Sequence, residues 1–335
     1  MASKVILLLN IGTPQEASSD AVKHYLREFL NDSRVINIPS LIRKFLVNFI
    51  IVPFRYKTST RAYRSVWMQE GSPLLALSQR MRDALQKKLG DDYHVKIAMR
   101  YGQPNIDNVL SELSDFKSII VIPLYPQYSS AATGSSVAKV MQYYEQQWNI
   151  PQLDIVGDFY NHPGFIKSYA ARIRHAMHDQ NDYHYLFSYH GLPENHVIKS
   201  GCHTSCDHLN ACPSVEIQNQ YCYRAQCFET SRMLARELQL TDQQYHVAFQ
   251  SRLGRTPWIK PYTDLLLSEL IQKNIRRIAV VCPSFVVDCL ETLEEVNIRL
   301  RDQWMKLGGE AFITVPCLND DEVWISSLAD LIQSR

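Results

Sequence analysis

The strongest constraint on the fold is a rhythm of eight short, apolar, β-branched runs separated by longer helix-like stretches. Four come early: VILLL (5–9), VKIAM (95–99), IIVIPL (119–124) and DIVGDF (154–159). Four come late: YLFSY (185–189), VAFQS (247–251), IAVVC (278–282) and FITVP (312–316). A run without polar alternation must be covered on both faces, which is the pattern of a parallel sheet. Parallel neighbours need a crossover, and the long stretches between the runs supply helices for it.

Many of the runs end in a polar loop containing Gly or Pro: NIGTP, RYGQP, YPQYSSAATGSS, SYHGLP, QSRLGRTPW and CPSF. In an open parallel sheet the binding crevice lies beyond the carboxyl ends of the strands. The expected fold is therefore α/β, with two Rossmann-like lobes, each a parallel sheet flanked by helices, facing a shared cleft. The boundary is expected in a helix near residues 163–178, giving lobes of 1–170 and 171–314. None of the loops is a dinucleotide or P-loop signature, because NIGTP has one glycine where GxGxxG needs three, and GxxxxGK[ST] is absent. The loop ATGSSVAKV (132–140) could cradle an anion at a helix start, a weak signal on its own.

The chain has 335 residues, enough for two cores of ordinary size. Thirty-five basic residues against thirty-four acidic ones leave a net charge of +1, with no electrostatic footprint for nucleic acid. MASKVILLLNIGTP enters a strand almost at once and lacks the h-region and cleavage site of a secretory signal, so the expected location is the cytoplasm. FLVNFIIVPF (45–54) is too short to span a bilayer, which takes roughly 18 apolar residues or more. Bracketed by Arg43, Lys44, Arg55 and Lys57, it reads first as a buried helix. The alternative is an apolar lip that meets a flat ligand or makes peripheral contact with the inner membrane.

Three groups of residues could carry chemistry. His190 ends a strand, and Gly191 and Pro193 force a turn directly after it, so its imidazole is presented as a proton acceptor or metal ligand. An arbitrary histidine is more often a backbone-bonded core residue; the strand end and rigid turn make the two readings equal. In VVDCLETLEEV (286–296), Asp288, Glu291 and Glu295 fall at i, i+3 and i+7, so a helix would place all three on one stripe suited to a divalent cation. Simple helix capping would explain acids near the start, without needing three in line. Around the first lobe's loops stand Arg55, Tyr63, Arg100, Tyr101, Tyr125 and Tyr128. Tyrosines fit a core, but arginines at strand ends fit carboxylate recognition better, and with Trp258 the set suggests a large, flat, aromatic acid.

Of eight cysteines, five lie within 26 residues: Cys202, Cys206, Cys212, Cys222 and Cys227, in the insert 201–227. Without a signal peptide such a cluster favours metal over disulfides. Its spacing lacks the CxxC pairs common in zinc sites, leaving an iron–sulfur cluster, structural zinc or thiols open. Cys282, Cys289 and Cys317 read as core.

Five segments, YRSVWMQEGSPL, YPQYSSAATGSS, FSYHGLP, FQSRLGRTPWIKPYTD and CPSFVVDCLETLEE, occur in the order and with the content of the ferrochelatases, and the chain resembles the protoporphyrin-type bacterial members over nearly its whole length. The resemblance implies a chelatase-like fold and insertion of Fe2+, as substrate, into protoporphyrin IX to form protohaem, the last step of haem formation. It implies that His190 is the active-site histidine and Glu291 the active-site glutamate, both within reach of the iron, with Asp288 and Glu295 continuing an acidic row. It places Arg55, Tyr63, Ser72 and Arg100 at the border of the porphyrin. Ile11 falls where some relatives set a tyrosine or methionine against the porphyrin face, and it cannot ligate a metal. Segment 315–335 is expected to pack back on the first lobe. A subset of the family with a similar insert carries a [2Fe-2S] cluster on four internal cysteines, here Cys202, Cys206, Cys212 and Cys222, with Cys227 as the substitute. Alternatives are a chelatase for coproporphyrin III or for cobalt, and a non-catalytic haem or iron carrier. Monomer and homodimer are both open.

Overall fold

The computed structural model describes residues 4–178, 180, 182–201, 212–254 and 256–335; Cys202 and Cys206 lie outside them. All eight expected strands are present: β1 (Lys4–Thr13), β2 (Tyr93–Gly102), β3 (Ser118–Pro123), β4 (Gln152–Ile155), β5 (His184–His190), β6 (Tyr245–Gln250), β7 (Arg277–Val281) and β8 (Ala311–Thr314). They form two four-stranded sheets with the same order, β2-β1-β3-β4 and β6-β5-β7-β8. Every pairing within them is parallel. The fold class is thus the one the apolar runs imply.

The chain divides into two compact units: residues 1–125, 129–158 and 320–335 make one, and residues 126–128 and 159–319 the other. In the first, Val5, Leu7 and Leu9 of β1 pack with Val109, Leu110 and Val140 on one face, while Ile6 and Leu8 are also fully buried on the other. A central strand covered on both sides explains why VILLL is apolar without alternation. The helix Glu322–Gln333 packs on the helix Pro73–Leu89 in this unit. Arg335 Nη1 pairs with Asp154 Oδ1 at 2.9 Å, fastening the chain end beside β4. In the second unit Leu186, Ile278 and Val280 pack against Leu267, Leu270, Val296 and Trp304.

Gly12 and Gly102, at the ends of β1 and β2, are required by close backbone approach. With φ +104°, Gly12 lies so near the carbonyl of Tyr101 that an added Cβ would sit 1.7 Å from its oxygen. No other residue fits there.

The segment 45–54 is not a buried helix. Val47 and Val52 face inward, but Phe45 is 59% exposed, Phe49 69% and Phe54 81%, with Leu41 and Ile42 also exposed. Helical geometry lets a few small positions anchor the segment while the aromatic side chains point away, a division that counting apolar residues does not reveal. Among the described residues, no helix is long and apolar enough to cross a membrane. Residues 46–51, 130–134 and 291–300 form π-helical turns, a rare geometry often found at functional sites. All three fall in motifs singled out above.

Candidate active site

β5 occupies the position in its sheet where the strand order reverses, with β6 on one side and β7 on the other. Its last residue is His190, so the imidazole stands at the crevice such a switch point creates. The β5–β7 ladder ends at Phe187–Val281, while β5–β6 continues to His190–Gln250. On the side where the ladder has stopped, side chains take over: the His190 amide donates to Ser284 Oγ at 3.0 Å, and Tyr223 donates its hydroxyl to the His190 carbonyl at 2.8 Å.

The turn after His190 fixes the ring. Nδ1 lies 2.6 Å from the carbonyl oxygen of Gly191. A carbonyl can only accept, so Nδ1 carries the proton, and in the neutral ring Nε2 presents its lone pair. Trp258 and Phe285 flank the imidazole with centroids at 6.4 and 6.3 Å. The Gly191 amide donates to Gln250 O at 2.8 Å, and a Cβ at Gly191 would meet that oxygen at 2.8 Å and the Trp258 ring at 3.2 Å. Further backbone bonds, Ile259 to Leu192 and Glu194 to Pro257, tie HGLP to the segment carrying Trp258.

The three acids do not form one helical stripe. Asp288 precedes the helix, whose π-helical turns run over Glu291–Leu300. Its buried carboxylate accepts from Thr292 Oγ1 (2.8 Å), Asn319 Nδ2 (2.8 Å) and the Cys317 amide (3.1 Å). It is a capping and anchoring group. In a π-helix, with i→i+5 bonds, residues four apart lie close to one full turn apart, so Glu291 and Glu295 still share a face. Glu295 receives the amide and hydroxyl of Ser251 at 3.0 and 2.5 Å. Burial pushes its carboxyl above the ordinary glutamate range; Ser251 opposes this, neighbouring Glu291 adds to it, and His190 and Arg299 oppose it. Imidazole and two glutamates therefore share one electrostatic neighbourhood, suited to moving protons or holding a divalent cation.

In the first unit the arginine and aromatic residues have partners inside the protein. Arg100 Nη2 pairs with Asp32 at 2.6 Å, and its Nε donates to Ser135 Oγ at 2.7 Å. Tyr101 is fully buried and donates to the same Asp32 at 2.9 Å. Burial raises Asp32, but Ser135, the Arg34 amide, Tyr101 and Arg100 together hold it below the usual range. Tyr125 contacts Ser136 at 3.3 Å, and burial drives its phenol far upward. Tyr63 is buried with its ring edge-on to Trp67 at 6.2 Å. Ser72 Oγ meets Thr13 Oγ1 at 2.7 Å, and Arg55 is exposed. Asp32 was missed from sequence because it sits 68 residues from Arg100, in no motif.

Of the clustered cysteines, Cys222 and Cys227 are buried and Cys212 is partly exposed. The nearly buried Arg224 donates Nη1 to Cys212 Sγ at 2.8 Å. Burial raises the Cys227 thiol, and the neighbouring Cys212 and Cys222 add to this. Among the described residues, no group of three or more His, Cys, Asp or Glu is arranged to hold a metal ion. Cys282, Cys289 and Cys317 are buried, as their apolar settings imply.

Two parallel sheets of matching order with a histidine at the switch point define a chelatase-type fold. SirB from Bacillus subtilis with Fe3+ superposes with a TM-score of 0.53 at 9% identity, covering 100% of this chain and 95% of that one. DR2241 from Deinococcus radiodurans, described as similar to chelatases, matches with a TM-score of 0.53 at 11% identity over 99% of this chain and 55% of its own. Within that class the sequence is specific. The ferrochelatase family model matches residues 3–335. Ferrochelatases from Legionella pneumophila (strain Lens) and Coxiella burnetii (strain CbuK_Q154) are 52% and 47% identical, covering 98% and 97% of this chain and 98% and 92% of their own. The chain belongs to the ferrochelatase family, a family of lyases.

Proposed function

We propose that this chain inserts Fe2+ into protoporphyrin IX, with neutral His190 accepting pyrrole protons and Glu291 and Glu295 passing protons or iron. One observation carries the reading: the Nδ1–Gly191 bond leaves Nε2 as the acceptor at the end of β5. Metal insertion displaces two pyrrole protons, so the site needs a base near neutrality. It also favours a bent macrocycle whose nitrogen lone pairs leave the plane, which a rigid site achieves by binding that form best. Asp288 serves this chemistry by anchoring the start of the glutamate helix.

Arg55, Tyr63, Ser72 and Arg100 are assigned to the porphyrin border by the family resemblance, and Trp258, whose ring flanks His190, suits a flat aromatic substrate. Arg100, Tyr101 and Tyr125 belong to that border as a wall stiffened by Asp32, Ser135 and Ser136. The exposed Phe45, Phe49 and Phe54 make an apolar lip for porphyrin or for peripheral membrane contact.

Cys202, Cys206, Cys212 and Cys222, with Cys227 as the substitute, would hold a [2Fe-2S] cluster. A nearly buried guanidinium aimed at a cysteine sulfur supports this, because thiolate-bound iron is anionic and needs a counter-charge. When bound, the cluster supplies a one-electron centre or a structural clamp. Iron and sulfide analysis, with visible absorbance that bleaches on reduction, tests it; a colourless zinc protein overturns it.

Anaerobic assay with Fe2+ and either protoporphyrin IX or coproporphyrin III tests the substrate. Formation of protohaem supports the reading. Turnover of coproporphyrin alone, of Co2+ alone, or binding without insertion would replace it with another chelatase or a carrier.

A further inference from the structure

We propose that Tyr223 is a positioning residue through which the cysteine insert sets the placement of His190. Tyr223 follows Cys222 directly and opens the helix Tyr223–Glu237. Its hydroxyl, in a residue only 6% exposed, donates to the His190 carbonyl at 2.8 Å. Ser284 accepts the His190 amide at 3.0 Å. The two backbone groups of His190 thus end on Ser284 and on Tyr223 where the β7 ladder gives no support.

The next residue makes a second link. Arg224 donates Nη1 to Cys212 at 2.8 Å and Nε to the carbonyl of Lys260 at 3.0 Å. Lys260 lies two residues after Trp258, whose ring flanks His190. One turn of helix, flanked by Cys222 and Cys227, therefore grips the histidine's backbone and the loop carrying its aromatic neighbour. A shift of this turn when the insert gains or loses a ligand would move His190, because the contacts are direct, short and buried. The link requires only the described cysteines and their neighbours; its effect on rate rests on His190 being the reacting base.

The test is a double-mutant cycle on the purified full-length protein with Tyr223→Phe, Cys212→Ser and the pair. Readouts are Fe2+ insertion under anaerobic conditions and hydrogen exchange of the segment around His190. Tyr223→Phe is expected to lower kcat about tenfold with little change in porphyrin KM. Cys212→Ser is expected to do the same, and the double variant to be no slower than either. Exchange at His190 should rise equally in all three. Arg224→Lys, which keeps charge but not the two-pronged grip, should raise exchange around Trp258. Multiplicative losses, or wild-type kcat and exchange in Tyr223→Phe, overturn the proposal. If His190→Ala inserts iron normally, the base reading fails, and exchange alone still decides the link. A wild-type protein without iron or sulfide overturns the cluster, and the same cycle decides whether the insert acts on His190.

Discussion

Ser251 donates both its amide and its hydroxyl to the carboxylate of Glu295, from a backbone with φ +67°. That left-handed conformation is unfavourable for serine by about 1–3 kcal/mol, and here it aims two donors at one half-buried acid. Ser251→Gly should relieve the strain and lose the hydroxyl. The expected result is equal or higher thermal stability with insertion slowed about tenfold. Lower stability with unchanged kcat would show that the pair is structural.

Glu295 also makes stability depend on pH in a defined direction. Its folded-state pKa is raised, so its contribution is complete in acid and is lost as pH rises through the folded value. Glu295→Gln removes the burial penalty of the ionised form. The unfolding midpoint of Glu295→Gln should gain on wild type as pH rises from the ordinary glutamate range, while insertion falls. A constant difference across pH would contradict the assignment.

Asp288 and Asn319 form a reciprocal pair: Asn319 Nδ2 donates to the carboxylate at 2.8 Å and the Asp288 amide donates back at 2.9 Å. Asp288→Asn would set an amide donor against other donors in a buried site, costing about 1–3 kcal/mol. Calorimetry should show that loss, and Asn319→Ala should be non-additive with it. Full stability with abolished insertion would return Asp288 to the proton or iron path.

Asp32 holds Arg100 and Tyr101, with side chains only 17% exposed for Arg100 and 8% for Asp32. Removing one partner of a buried pair costs about 3–5 kcal/mol and removing both costs less. Arg100→Ala and Asp32→Ala should each destabilise strongly, and the double variant should recover part. Because Asp32 is held below its usual range, its contribution is present at neutral pH and fades as acid protonates it. An Arg100→Ala protein of normal stability and raised porphyrin KM would point to direct substrate contact instead.

His184 and His246 face each other across the start of β5 and β6, Nε2 to Nδ1 at 2.6 Å. Burial, with His246 and Lys273 nearby, lowers His184 from 6.5 to about 4. A lowered pKa means stability is complete above 6.5 and is lost as pH falls towards about 4. His184→Gln should flatten the acid limb of the unfolding curve. An unchanged limb would place acid sensitivity elsewhere.

The strands were legible because each is a short, mainly apolar run followed by a loop containing Gly or Pro. Only edges slipped: β4 covers Gln152–Ile155 where DIVGDF placed it later. The placement of His190 at the end of β5, before a forced turn, was legible. The acidic stripe was only partly legible, since composition does not encode the π-helical hydrogen-bond register that leaves Asp288 outside the helix. Nor could sequence show that Phe49 points outward while Val47 points in. Asp32 and Tyr223 were hidden for another reason: their partners, Arg100 and His190, are 68 and 33 residues away and are met only after folding.

The most direct measurement is the anaerobic rate of Fe2+ insertion by His190→Ala, with and without added imidazole. Removal of a general base costs typically 10²–10⁴-fold. His190→Ala is expected to lose insertion in that range with unchanged porphyrin binding, and to recover in part when imidazole fills the space. A variant that inserts iron within about twofold of the wild-type rate would contradict the assignment of His190 as the base.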